Sequence, residues 1–177
     1  MAWMNRQISF IDQRLIVVAL LVNLVFCFFN FRPNGNTKCF AGDVGSVGAA
    51  FIVLFVLGLL ILSTGDFTYI VFLAVYGVDS VLTIIHRIFL HERLGDAHRK
   101  HAYQLMANEL GMEHTVVSSI YSLLQLGIAI GMILIPNTFA WHWSYLLGVC
   151  LLLTLAYLLF MKKYYHLHEE YLRAIER

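Results

Sequence analysis

The chain has 177 residues, 60% hydrophobic and 13% charged, with 12 Lys and Arg against 11 Asp and Glu and a net charge of +1. Soluble domains are roughly 25% charged, and a chain this short with a mean hydropathy of +0.74 cannot hide its apolar surface in one aqueous core. That composition excludes an ordinary soluble domain, and the charge argues against a nucleic-acid partner.

A span needs roughly 20 mostly apolar residues. Five runs approach this: 15–31, 47–63, 67–85, 115–135 and 143–161. Lipid offers backbone groups no partner, so each run is expected to be helical, and none alternates as a barrel strand does. The expected fold is all-α: a polytopic membrane protein with about five transmembrane helices in a single membrane domain over 1–177, part of a larger helical bundle. The first run is not a signal peptide, since no small-residue cleavage site follows it. Cys27 and Cys150 fall in spans and Cys39 in a loop, so no disulfide framework is implied.

The loop 32–46 carries TKCFAGDVGS at 37–46. Gly42, Gly45 and Gly48 let backbone approach a ligand closely. Ser46 suits the N-cap of the second span, whose N-terminus would then offer an anion site. Asp43 beside it is either a turn former or a ligand of Mg²⁺, which favours one or two carboxylates plus phosphate oxygens.

The third run contains Asp79. An ionisable group inside a span is costly and is a functional candidate. Asp79, Thr83, His86 and Arg87 share one helix face, either as a ligand-binding stripe or as an Asp79–Arg87 ion pair or a helix–helix hydrogen bond that holds the bundle together. The loop 86–114 that follows holds Arg87, Arg93, Arg99 and Lys100, and AHRKHAYQ at 97–104. A zinc site at His98 and His101 is weakly supported, because no Cys lies nearby. The cationic, imidazole-rich set suits phosphate oxygens better.

In the fourth run Ser118, Tyr121, Ser122 and Gln125 share a face, as helix packing contacts or as ligands. Gly127 and Gly131 form a small-residue motif that permits close helix approach. Trp141, Trp143 and Tyr145 read as interfacial anchors outside, and Tyr164 and Tyr165 inside. The links 64–66 and 136–142 hold no Lys or Arg, whereas 31–46, 86–114 and the tail do. The loops 32–46 and 86–114 are therefore expected on the cytoplasmic side, with Arg6 and Arg14 in mild conflict.

The combination is more specific than its parts. FAGDVGS after an Asn30…Pro33 loop, Asp79 with Thr83 leading to Arg87, and AHRKHAYQ resemble, in order, the motifs of the bacterial polyprenyl-phosphate phosphoglycosyltransferases, over about residues 15–125. That family usually has Met where Ala41 stands. The histidine motif is similar to that of the branch initiating O-antigen and related glycans. The resemblance implies transfer of a sugar-1-phosphate from a UDP-sugar, of the UDP-N-acetylhexosamine kind, to undecaprenyl phosphate at the bacterial inner membrane. UMP leaves, with Mg²⁺ or Mn²⁺ as cofactor. Asp43 would be the catalytic, metal-binding carboxylate. His98, Arg99 and His101 would contact the nucleotide-sugar, with Lys38, Asp79 and Arg87 also on the substrate side. The family's first half carries an adjacent Asp pair, and none occurs here. The chain is therefore expected to match the C-terminal half, inactive alone, with the missing half or a second copy as partner. Rival readings are a non-catalytic membrane subunit and a small transporter using Asp79 as proton carrier.

Overall fold

The computed structural model describes residues 2–31, 42–93, 95 and 99–175, apart from the side chains of 2, 3, 5, 30, 43 and 168–175. Lys38 and His98 lie outside the described residues, as does the side chain of Asp43. Every regular element described is helical. The all-α membrane architecture follows, because a helix satisfies its own backbone where lipid cannot. The chain divides into two units, 1–70 and 71–177.

The first unit holds α1 (Ala2–Ile8), α2 (Gln13–Asn30) and α3 (Gly42–Thr64). Asp12 caps α2, its Oδ1 accepting the Arg14 N–H at 2.9 Å, which satisfies one of the helix's orphan donors. Its 18 residues reach about 27 Å, slightly short of the roughly 30 Å hydrocarbon core. Among the described residues, four helices are long and apolar enough to cross: Val44–Thr64, Phe67–Phe89, His114–Leu134 and Phe139–Leu167. α2 still exposes large apolar side chains such as Leu24 and Phe28, as a lipid-facing helix would.

α3 starts five residues before its expected boundary at 47. Ser46 is consequently not an N-cap. It sits a turn inside the helix and donates its hydroxyl to the Gly42 carbonyl at 3.0 Å, the i−4 bond open to a helical serine. At the other end Gly65, with φ of +68°, takes the left-handed conformation that only glycine adopts cheaply. Asp66 then accepts from the Thr68 N–H at 2.9 Å and the Thr68 hydroxyl at 2.6 Å, capping a 3₁₀ segment, Phe67–Leu73.

The second unit holds α4 (Ala74–Phe89), α5 (Ala102–Asn108), α6 (His114–Leu134) and α7 (Phe139–Ile175). α4 packs on α6 and α7, and the short α5 tucks against the same two. Gln125 of α6 explains why the 3₁₀ segment gives way to α4 where it does. Its Nε2 donates to the Val71 carbonyl at 3.1 Å, and its Oε1 accepts from the Val75 N–H at 3.1 Å. Those two groups would bond each other in a regular α-helix. The side-chain amide is inserted into the i→i−4 ladder, a recognised cause of helix irregularity. Gln125→Leu is expected to lower stability by about 1–2 kcal/mol and to speed hydrogen exchange at Val75. Unchanged exchange there would show that the ladder closes without the amide.

Gly131 serves a side chain, not the close helix crossing its motif suggested. A Cβ at Gly131 would lie 2.1 Å from the Tyr145 hydroxyl, while Gly127 faces open space. Tyr145 uses that room to donate to the Ile128 carbonyl at 2.8 Å. α7, with 37 residues, extends about 55 Å and so outruns the bilayer core.

Candidate functional site

The stripe read on the third run is real, and it faces inward. α4 buries Asp79, Thr83 and Arg87, together with Ala74 and Val75, while His86 is half-buried with its ring 4.7 Å from that of Tyr165. A four-residue repeat keeps a stripe on one face for several turns. What meets it is set by the three neighbouring helices.

Asp79 is 4% exposed. Its Oδ1 accepts from the Ala102 N–H at 3.0 Å and the Thr83 hydroxyl at 3.3 Å, and its Oδ2 accepts from the Tyr121 hydroxyl at 2.9 Å. His101 Nδ1 stands 3.8 Å from Oδ1. The Thr83 hydroxyl is also within 3.1 Å of the Tyr157 hydroxyl. One carboxylate thereby joins α4, α5 and α6, and Thr83 extends the network to α7. Since Ala102 is the first residue of α5, the carboxylate also complements the positive end of that helix. Gln104 assists, its Oε1 accepting the His101 N–H at 3.3 Å. A buried carboxylate supplied with hydrogen-bond donors is tolerable where a bare one is not.

Of the two packing alternatives for the stripe, the helix–helix hydrogen bond forms, from Tyr121 to Asp79, while Arg87 pairs locally and not with Asp79. α4 ends with His91 at φ of +56°, the Glu92 N–H bonding the Arg87 carbonyl at 3.1 Å and the His91 N–H the Ile88 carbonyl at 3.0 Å. This is a Schellman turn with histidine where glycine is usual. The reversal returns Glu92 to the Arg87 side chain, whose Nε lies 3.2 Å from Oε2. Lys100 pairs with the other oxygen of Glu92. Burial works against ionisation of Glu92, but the Lys100 and Arg87 contacts outweigh it and hold its pKa below the ordinary value. The bridge is therefore complete above the ordinary glutamate range and is lost as pH falls through the depressed value.

Arg87–Glu92–Lys100 and Asp79–Ala102 together fix both ends of the segment 99–101. Arg99 is exposed on it and His101 half-buried. Tyr103 stacks on His101 at 5.4 Å between centroids and on Tyr76 at 6.3 Å. Burial, then the neighbouring Tyr76 and Asp79, raise the Tyr103 phenol above its usual pKa. The cavity beside Asp79 is only about 120 Å³, whereas ligand pockets run from roughly 300 to 1,000 Å³. Asp79 accordingly holds the basic segment in place without facing a substrate-sized cavity.

Of the sequence-predicted residues, Asp79 and His101 come together in the second unit, with Arg87 joined through Glu92 to Lys100 and Arg99 exposed beside it. Asp43 lies in the first turn of α3. Lys100, Glu92 and Tyr157 were not singled out as site residues. A lone tyrosine within the aliphatic stretch 151–160 was the available signal for Tyr157. Comparison with protein-family models, with curated proteins and with solved structures found no match.

Proposed function

We propose that this chain carries the cytoplasmic-face site of a bacterial inner-membrane phosphoglycosyltransferase. The reaction moves a sugar-1-phosphate from a UDP-N-acetylhexosamine to undecaprenyl phosphate and releases UMP. The observation that carries the reading is the clamp from Asp79 to Ala102. It holds a cationic, imidazole-bearing segment at the end of a span, the level where an aqueous donor and a lipid phosphate can meet. Phosphoryl transfer asks for positioning and charge neutralisation more than covalent chemistry, and Arg99 and His101 are of the right type. An apolar groove of about 870 Å³ between α2 and α3, lined by residues such as Val22, Phe26 and Ile52, reaches Gly45 and Ser46. It offers an isoprenoid chain a track ending beside the turn that holds Asp43.

Asp79 does not fit a metal-ligand role, because its oxygens already accept three hydrogen bonds. In this proposal Mg²⁺ or Mn²⁺ belongs to Asp43, where it would offset the repulsion between two anionic substrates. Asp43 would supply one carboxylate, leaving the other positions of octahedral Mg²⁺ to water, substrate phosphate oxygens and a further carboxylate from a partner segment. The second reading, a non-catalytic membrane subunit, is favoured by the engagement of Asp79 with α5, which a purely structural role also explains.

The test uses native membranes and UDP-N-acetylhexosamine labelled at the β-phosphorus. Label is expected in the lipid extract, with UMP in the aqueous phase. UDP release would mean glycosyl transfer instead, and no product from correctly inserted protein would leave the subunit reading. In the same membranes, a cysteine at Asn137 is expected to react with an impermeant thiol reagent from outside, and one at Arg99 is not. The reverse pattern removes the cytoplasmic site.

A further inference from the structure

α4 and α7 leave their apolar runs side by side, and between them lies a groove of about 510 Å³. Its lining changes character along its length. Leu82, Ile85 and Leu158 form the deep part, and His86, Lys162 and Tyr165 form the mouth. Both helices run toward the mouth in the same direction, since Thr83 meets Tyr157 and, further along, His86 meets Tyr165. The candidate spans of these helices end at Phe89 and Leu167, within about a turn and a half of His86 and Lys162, so in a membrane the mouth would face the headgroup layer and the deep part the acyl region.

The charge at the mouth is specific in kind. Lys162 is exposed and makes no ion pair among the described side chains. Its neighbour Lys163 is turned onto the Tyr164 ring, 4.9 Å from the centroid, and does not line the groove. A lysine with its stem on an apolar wall and its ammonium at headgroup level is in the usual snorkelling posture. Placed over a groove, it favours a phosphate without a compensating positive headgroup.

We propose that this groove binds one anionic phospholipid, with its phosphate at Lys162 and His86 and an acyl chain over Leu82, Ile85 and Leu158. The proposal needs only that these helices cross a membrane and is independent of the transferase reading. Occupancy would brace α4 against α7 at the end from which the segment 99–101 is held.

The test is native mass spectrometry of the full chain, delipidated in mild detergent and titrated with phosphatidylglycerol, phosphatidylcholine or inorganic phosphate. One phosphatidylglycerol is expected to be retained in preference to phosphatidylcholine, with no phosphate adduct. Lys162→Gln is expected to weaken retention about 5-fold, and Lys163→Gln to leave it unchanged. Leu158→Trp, which fills the groove without altering charge, is expected to abolish it. Equal retention of the two lipids overturns the proposal, and so does equal loss in Lys162→Gln and Lys163→Gln, which would mean general surface charge. Retention undiminished in Leu158→Trp, or displacement of the lipid by a second copy of the chain, overturns it as well.

Discussion

Asp79→Leu is expected to cost about 2–4 kcal/mol of stability and to release the N-terminus of α5. The carboxylate is buried and accepts hydrogen bonds from Tyr121, Ala102 and Thr83. A leucine leaves the Ala102 N–H and the Tyr121 hydroxyl without this acceptor in a buried site, and each such loss is worth about 1–3 kcal/mol. Hydrogen bonds within membranes average less than this because the unfolded state also finds partners, so the sum is expected below the simple total. Asp79→Asn should cost less, about 1–2 kcal/mol. The tyrosine hydroxyl can turn and accept from the new amide, but the amide carries no charge to complement the start of α5. Unfolding in a denaturing detergent series gives the total. Hydrogen exchange at 102–105 gives the local effect, and it should rise more steeply in the leucine variant than exchange at 120–125. If exchange at 102–105 is unchanged in Asp79→Leu, the clamp does not hold α5.

If the proposed transferase reaction holds, Asp43→Asn is expected to lower UMP release in native membranes by at least about 100-fold with no change in membrane insertion. The amide keeps the shape of the carboxylate but removes the charge that a divalent cation requires. The residue lies in the first turn of α3, where the helix dipole favours an anion, so the neutral variant loses a little helix stability and the fold remains. An immunoblot of the membrane fraction separates that small effect from the large one. On the transferase proposal the two variants should fail differently: Asp79→Leu would loosen α5 and then activity, whereas Asp43→Asn would remove activity from an intact fold. Near wild-type turnover of Asp43→Asn at limiting Mg²⁺ would take the metal role away from this residue.

The sequence by itself determined the solvent, the helical class, the polar stripe of α4 and four candidate crossing helices, three of them to within four residues at each end and the last ending six residues beyond its expected boundary at 161. These follow from hydropathy and from the helical repeat, which depend on nothing beyond the local chain. The expected start of α3 was late because a serine in a glycine-rich stretch reads as a cap. With the helix begun at Gly42, its hydroxyl instead turned back to a carbonyl within the helix. The first run was long enough by hydropathy and slightly short in length.

Only the tertiary structure decided what the stripe meets. Periodicity says which face of a helix is polar, but the partners of Asp79 come from residues 23 and 42 positions away, and no local pattern encodes such a distance. The same holds for Gln125, whose acceptor and donor lie 54 and 50 residues earlier, and for Gly131, whose small size answers a tyrosine on the next helix. Arg87 took Glu92 in place of Asp79 because the chain reverses at His91, a left-handed residue that no glycine announced. A charge on a helix chooses among the partners that packing brings within reach, and packing is a property of the assembled helices.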